Sequence, residues 1–278
     1  MRIAVTGGSG DLGRNLVAYL LEQGHAVVSI DRALPPMPTT WPARRAEHMV
    51  ADTRDFGQIV AAIRGCDALI HLAAHRSPGG SPDTVVYTEN TAGSYNALSA
   101  AATLGITRVC LASSINAIGG AFSRAPRYDY FPLDEQHPTY AEDPYSLSKW
   151  VLEQQADAFA RRYEQMRIAS LRFHWLVESR QQAVERTAYF GPGGVRHLWA
   201  YTLLAEASRA CLLAITADFQ GHEVFYIAAP NTAMAEPSLD LARQHYADVP
   251  VRGDLSDHRS FFDCSKAERL LGWSHSSE

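Results

Sequence analysis

At 278 residues, 46% hydrophobic and 20% charged, the chain has the composition of a globular protein and room for one large domain, or one domain with a smaller appendage. A net charge of −5 gives no field to gather nucleic acid or an anionic membrane, and the apolar runs are strand-length, too short to span a bilayer. Four scattered cysteines (Cys66, Cys110, Cys211, Cys264) without CxxC spacing predict free buried thiols in a reducing, cytoplasmic setting and exclude a disulfide framework.

The N-terminus runs straight into a strand, "RIAVT" (2–6), so no signal peptide is expected. A Gly-rich turn follows, then a helical pattern through Leu16, Leu20 and Leu21 that closes at Gly24. "AVVSI" (26–30) is a second strand, ended by Asp31 and Arg32. The Pro-rich "ALPPMPTTWP" (33–42) predicts a loop, and the basic residues of "PARRAEH" (42–48) a solvated surface. "HMVAD" (48–52) reads as a strand, "FGQIVAAIRG" (56–65) as a helix, and "ALIHLAA" (68–74) as a strand buried on both faces. A helix over 83–104 leads to strand "RVCLAS" (108–113), and a helix from Pro144 leads to strand "RIASLR" (167–172). Strands alternating with helices imply crossover units in a parallel sheet, the doubly wound α/β (Rossmann) fold. After Arg172 the alternation weakens. Residues 178–197 are polar and Gly-rich, followed by a helix at 203–215, a strand at 223–229 and short helices near 238–246 and 264–271. This divides the chain into residues 1–175 and a small second region, 176–278, laid over the sheet edge and partly interleaved with it.

"TGGSGDLG" (6–13) sets Gly7, Gly10 and Gly13 between a strand and a helix. That spacing allows a tight turn, close approach of a pyrophosphate and close helix–strand packing, with amides near Asp11 and Leu12 at the positive helix end. Asp31 suits both hydroxyls of an adenosine ribose and repels a 2′-phosphate, so NAD is expected before NADP. Arg32 pulls the other way, because an arginine there can grip that phosphate.

With these residues in place, the chain resembles the extended short-chain dehydrogenases/reductases of the NAD-dependent epimerase/dehydratase family. The resemblance runs from residue 1 to about 230, with a tail in "DCSKAERLLGW" (263–273). It implies that Asp52 and Thr53 of "ADTRD" meet the adenine, although Asp52 serves equally as a helix cap. Leu72, Ala73 and Ala74 of "HLAA" would pass under the cofactor, and Asn90 would serve either the cofactor or the fold. Apart from the resemblance, Phe173 and His174 lie at the C-terminal end of a strand, the side where open α/β sheets bind ligands, so one of them either packs on nicotinamide or belongs to the core. The resemblance also implies a homodimer built on the helices that begin near 83 and 144; the apolar Trp150, Val151 and Phe159 either supply that contact or face the sheet.

"DPYSLSKWVLE" (143–153) places Tyr145 and Lys149 one helical turn apart behind Pro144. An ammonium beside a phenol lowers its pKa, which suits a proton-exchanging group. The family's serine segment is resembled by "ASSINAIGG" (112–120), and its closing glycine aligns Ser114, not Ser113, with the catalytic serine. Ser114, Tyr145 and Lys149 are then the catalytic set, with Lys149 also on the nicotinamide ribose. Dehydratases of the group carry Asp-Glu directly after that serine; this chain has Ile115-Asn116. Nucleotide-sugar epimerases place an asparagine where "LRFHWLVE" has Trp175, and few basic anchors follow beyond Arg180, Arg186 and Arg196. A small sugar or sugar acid is the expected substrate, as in uronate-type dehydrogenases, bordered by His75, Arg76, Asn116 and His174. No HExxH or His-x-His spacing occurs among the eleven histidines, so no metal is expected. Three readings stay open: an NAD-dependent oxidoreductase, a redox-neutral epimerase that retains NAD, and a non-catalytic NAD-sensing regulator.

Overall fold

The computed structural model describes residues 1–34, 46–190 and 192–276. The chain starts with β1 (Arg2–Thr6), α1 (Asp11–Glu22), β2 (Ala26–Asp31), β3 (Glu47–Val50) and α2 (Phe56–Ile63). Next come β4 (Ala68–His71), α3 (Asp83–Thr103), β5 (Arg108–Ser114), α4 (Pro144–Arg162) and β6 (Arg167–Phe173). The remainder holds β7 (Leu176–Val177), α5 (Arg180–Phe190), α6 (Pro192–Arg196), β8 (Thr202–Leu203) and α7 (Leu204–Thr216). It ends with β9 (Gly221–Ile227), α8 (Ser238–His245) and α9 (Ser265–Leu271).

Seven strands make one parallel sheet in the order β3-β2-β1-β4-β5-β6-β9. Strand alternation sends Ile3 and Val5 into a core with α1, α7 and α9, while Ala4 joins a second core with α2, α3 and α4. Apolar side chains on both faces demand helices on both faces, and the fold is the expected doubly wound α/β type. The chain builds outward from β1 to β3 and then returns to place β4 on the other side of β1. That reversal opens a crevice above the carboxyl ends of β1 and β4.

Several boundaries differ from those expected. β4 stops at His71: Leu72 N still reaches Thr6 O at 3.1 Å, but the Gly7 turn packs directly against Ala73 and bends the chain out of the sheet. β3 ends at Val50, two residues short of Asp52. The polar 178–197 stretch carries α5 and α6, whose apolar spacing is too weak to read from sequence. β9, from the second region, is the seventh strand of the main sheet. A third core forms beyond β5 and β6 from Tyr128, Phe131, Trp199, Tyr226, Phe261 and their neighbours. There the 128–133 segment pairs with the C-terminal part, through Phe131 N to Pro250 O (2.9 Å) and Leu133 N to Phe261 O (2.7 Å). Of the residues expected in a dimer contact, Phe159 packs inward beside Leu152 and Ala156 against the sheet, because it shares their helical face. Trp150 and Val151 remain half-buried on the outer side of α4. Residues 35–45, with most of the expected Pro-rich loop and the arginines of 42–48, lie outside the described residues. Among the described residues no helix is long and apolar enough to cross a membrane.

Candidate active site

Two adjoining cavities of about 470 and 970 Å³ form one cleft along the carboxyl ends of the central strands. They share the turn at Gly7, Gly10 and Asp11, and the loop through Leu72, Ala74, His75 and Arg76. Asp31, Arg32, Asp52, Thr53, Ala73 and Asn90 line the smaller lobe. Leu12, Gly13, Ser114, Asn116, Tyr145, Lys149, Phe173 and His174 line the larger one. Every residue assigned from the sequence to the cofactor, the substrate border or the catalytic set borders this cleft, whereas Arg180 and Arg196 do not line it.

NAD fits the glycine turn. Gly7 has φ +72°, and a Cβ there would stand 2.7 Å from Ala73 N. A Cβ on Gly13 would stand 2.1 Å from Gly7 O, so α1 can approach the turn only without a side chain. No side chain caps α1, and its first residues face the cleft, as an anion seat requires. Asp31 ends β2 with Oδ2 accepting from Ser9 N (2.9 Å) and Oδ1 from Arg32 N (2.7 Å). Asp52 is gripped by Arg54, whose Nε lies 2.9 Å from both carboxylate oxygens; this contact holds the carboxyl below its usual range. Asp11 joins Arg76 (2.7 Å) and Arg14 (2.9 Å), a charged bridge between the glycine turn and the loop after β4.

The reacting end is assembled by two elements. α4 begins at Pro144, and the Asp143 side chain accepts from Tyr145 N (3.0 Å) and Ser146 N (2.9 Å), which fixes its first turn. β5 ends at Ser114, whose hydroxyl accepts from Asn116 N (3.1 Å) and turns the chain into a 3-10 turn over Ile115–Ile118. Tyr145, Lys149 and Ser114 are all buried, at 8%, 4% and 5% exposed. Lys149 Nζ donates to Ala112 O (2.7 Å) and lies 5.7 Å from the Tyr145 ring centroid. Burial lowers the Lys149 ammonium to about 8, against the opposing charge of Glu153. The expected depression of the phenol by Lys149 is not found. Burial raises Tyr145 above its ordinary value, and the hydroxyl of Ser114 is the group that chiefly counteracts it.

Several other sequence-selected residues make their hydrogen bonds within the protein, and for Asn90 this is the structural one of its two expected roles. His174 accepts from Trp175 N at Nδ1 (2.7 Å) and donates from Nε2 to His197 O (2.8 Å), so both ring nitrogens are engaged by backbone. Burial lowers it to about 3, which keeps it a neutral structural histidine. The Asn90 amide is likewise used within the protein: Oδ1 accepts from His75 N (2.7 Å), and Nδ2 donates to Ser148 Oγ (3.0 Å) and His75 O (3.2 Å). It ties the loop after β4 to α3 and α4. His75 turns toward the smaller lobe, with Nε2 2.9 Å from Glu89 Oε2, instead of toward the substrate end. Asn116 accepts from Ala121 N (2.8 Å) and sends Nδ2 toward Ser114 Oγ (3.4 Å).

Several cleft residues escaped the sequence reading, His197 and Glu89 among them. His197 stacks on Trp175 at 5.4 Å and 21° in the larger lobe, with the Arg186 guanidinium 5.9 Å from the Trp175 ring. Glu89 lines the smaller lobe, yet in sequence it is only the residue before Asn90. A hydrogen-bonded Ser170–His222–Asp157 chain also exists (2.8 and 2.7 Å), but Ser170 is wholly buried in β6 and cannot meet a substrate as a nucleophile.

The model of the NAD dependent epimerase/dehydratase family matches residues 3–188. A putative dihydroflavonol 4-reductase of Synechocystis sp. is 35% identical over 149 residues, 51% of this chain but 41% of that protein's length. A putative UDP-glucose 4-epimerase of Methanocaldococcus jannaschii is 26% identical across 98% of this chain and 92% of its own. Among solved structures, UDP-glucose 4-epimerase of Thermotoga maritima superposes with a TM-score of 0.74 at 23% identity, covering 100% of this chain and 94% of that one.

Proposed function

The chain belongs to the NAD-dependent epimerase/dehydratase family, and we propose that it is an oxidoreductase acting on a small polyhydroxylated or carbonyl substrate, a sugar or sugar acid. One observation carries this reading: Tyr145, Ser114 and Lys149 line one buried corner of the larger lobe, with Lys149 Nζ 5.7 Å from the Tyr145 ring centroid. A binding protein that only sensed NAD would gain nothing from burying such a set.

Under this reading the amides at Gly10–Gly13 hold the pyrophosphate, Asp31 the adenosine ribose, and Asp52 with Thr53 the adenine. Lys149 and Tyr145 hold the nicotinamide ribose, with Phe173 alongside the ring. NAD when bound supplies the hydride acceptor, or in reduced form the donor. Ser114 donates to the substrate oxygen and orients it, while Asn116 fixes the Ser114 rotamer. Tyr145 exchanges the proton of that oxygen: the phenol gives it to a carbonyl in reduction, and the phenolate takes it from an alcohol in oxidation. Burial favours the phenol, and the positive charge of Arg76 favours the phenolate. Ile115 and Asn116 offer no carboxylate to expel water, which argues against dehydration. Trp175, His197 and Arg186 bound the substrate end. A cytosolic location belongs to the same reading, supported by four cysteines carried as free thiols.

A second reading, redox-neutral epimerisation, is favoured by the near full-length match to the Methanocaldococcus jannaschii relative. Absorbance at 340 nm separates the two. A panel of sugars, sugar acids and hydroxyketones is offered with NAD or NADH. Net change in NADH with one class supports the oxidoreductase; conversion of a sugar without net change supports the epimerase and rejects the first reading.

A further inference from the structure

The side chain that decides between NAD and NADP is more than Asp31. Arg32 directly follows that carboxylate and lines the same lobe, 61% exposed and long enough to turn toward a 2′-phosphate. An aspartate and an arginine side by side leave the preference open. Glu89 reaches over from α3 into the same lobe. Its carboxylate lies 2.5 Å from Arg54 Nη1, 2.9 Å from His75 Nε2 and 3.8 Å from Arg32 Nη1. Three cationic or potentially cationic groups of the small lobe thus share one acid.

We propose that Glu89 is a specificity-determining residue of the cofactor site: it occupies Arg32 and cancels the lobe's positive charge, so that a 2′-phosphate finds no cation to receive it. The inference rests on the small lobe being the adenosine end of the NAD cleft. Charge counting supports it. Four carboxylates line this lobe, Asp11, Asp31, Asp52 and Glu89, against four arginines, so among the described residues the lobe is neutral with His75 uncharged. Removing the Glu89 charge leaves one net positive charge and an arginine without its acid. The Arg32–Glu89 pair is solvent-exposed on the arginine side, and an ion pair of that kind contributes little to stability. Its effect on a doubly charged phosphate is larger, because the phosphate feels both the loss of a repelling carboxylate and the release of an attracting guanidinium. Arg54 does not substitute for Arg32. It is already bound by Asp52 through two nitrogens and stays so when Glu89 is neutral.

Isothermal calorimetry of NAD and NADP on the full chain tests this without any turnover. Wild type is expected to bind NAD at least about ten-fold more tightly than NADP. Glu89→Gln, which keeps the size and one acceptor oxygen but removes the charge, is expected to tighten NADP about ten-fold while NAD stays within about three-fold. Adding Arg32→Ala to Glu89→Gln is expected to abolish that gain. Unchanged NADP affinity in Glu89→Gln, with NAD binding intact, overturns the proposal. So does a gain that survives Arg32→Ala, or a loss of NAD binding in Glu89→Gln and Glu89→Ala alike. A wild-type chain that binds neither dinucleotide instead removes the assignment of the cleft on which the proposal stands.

Discussion

The hydroxyl of Ser113 lies 2.6 Å from Glu153 Oε1, directed into the protein behind β5, while its neighbour Ser114 faces the cleft and Tyr145. Two adjacent serines on one strand point to opposite sides, as the pleat requires. Their substitutions should therefore separate. Ser114→Ala is expected to lower turnover by about 10²–10³, the range for losing a donor to a developing oxyanion, with the fold retained. Ser113→Ala is expected to cost about 1–3 kcal/mol of stability, because Glu153 loses a buried donor, and to leave turnover within a few-fold. Steady-state rates and urea midpoints on both variants check this; the reverse pattern would mean that Ser113 is the reacting serine.

Glu153 is itself half of a buried ion pair. Arg172 Nε and Nη2 reach its two oxygens at 2.9 and 2.8 Å, and the two side chains are 6% and 4% exposed. The pair ties α4, one turn beyond Lys149, to β6. Removing one partner strands a buried charge, so Glu153→Ala is expected to cost about 3–5 kcal/mol. Glu153→Leu combined with Arg172→Met is expected to recover much of that loss. A double variant no more stable than the single one, by chemical denaturation, would count against an ionic origin.

Acid should destabilise the protein through its buried histidines. Burial lowers His71 and His174 from 6.5 to about 3, and His197 to about 4; the Lys149 charge adds to the effect on His71. Their folded values lie below the unfolded one, so between about pH 6.5 and 3 the unfolded chain binds more protons. Stability from these groups is therefore complete above pH 6.5 and lost as pH falls through that window, by several kcal/mol in order of magnitude. Urea midpoints from pH 8 to 5 are expected to fall, and His174→Gln should flatten the slope by about one proton. An equally steep slope in that variant would show that other groups carry the acid response.

The outer faces of α3 and α4 are expected to join two copies of the chain. Tyr95 is 49% exposed on α3, and Trp150 and Val151 are half-buried on α4. Light scattering at micromolar concentration should give the mass of two 30.6 kDa chains, reduced to one by Val151→Glu. A wild-type mass of one chain removes the dimer.

The sheet, its crossovers and the glycine turn were legible because each rests on a local pattern: β-branched runs, a 3.6-residue period, and glycines where a Cβ would strike Ala73 N or Gly7 O. The Tyr145–Lys149 spacing is local in the same way, whereas the choice of Ser114 over Ser113 came from the family resemblance and awaits the substitutions above. What was hidden depends on tertiary placement. Phe159 and Trp150 look alike in sequence, and only helical phase against the sheet buries one. His174 and Asn90 carry the right chemistry at the right strand and helix, but backbone groups of Trp175, His197 and His75 take up their hydrogen bonds. Glu89 reaches the smaller lobe from a helix 57 residues beyond Arg32, a separation no local pattern encodes.

The proposed function stands on a proton relay at Tyr145, and Tyr145→Phe tests it most directly. The substitution removes one hydroxyl and keeps the ring, which packs edge-on against Phe122 at 5.6 Å. Hydride transfer is followed at 340 nm with the substrate that gives the highest wild-type rate, and NAD affinity is measured by calorimetry on the same protein. The mechanism predicts a fall in turnover of roughly 10²–10⁴ with NAD affinity and the urea midpoint close to wild type. A Tyr145→Phe protein that turns over near the wild-type rate would contradict it.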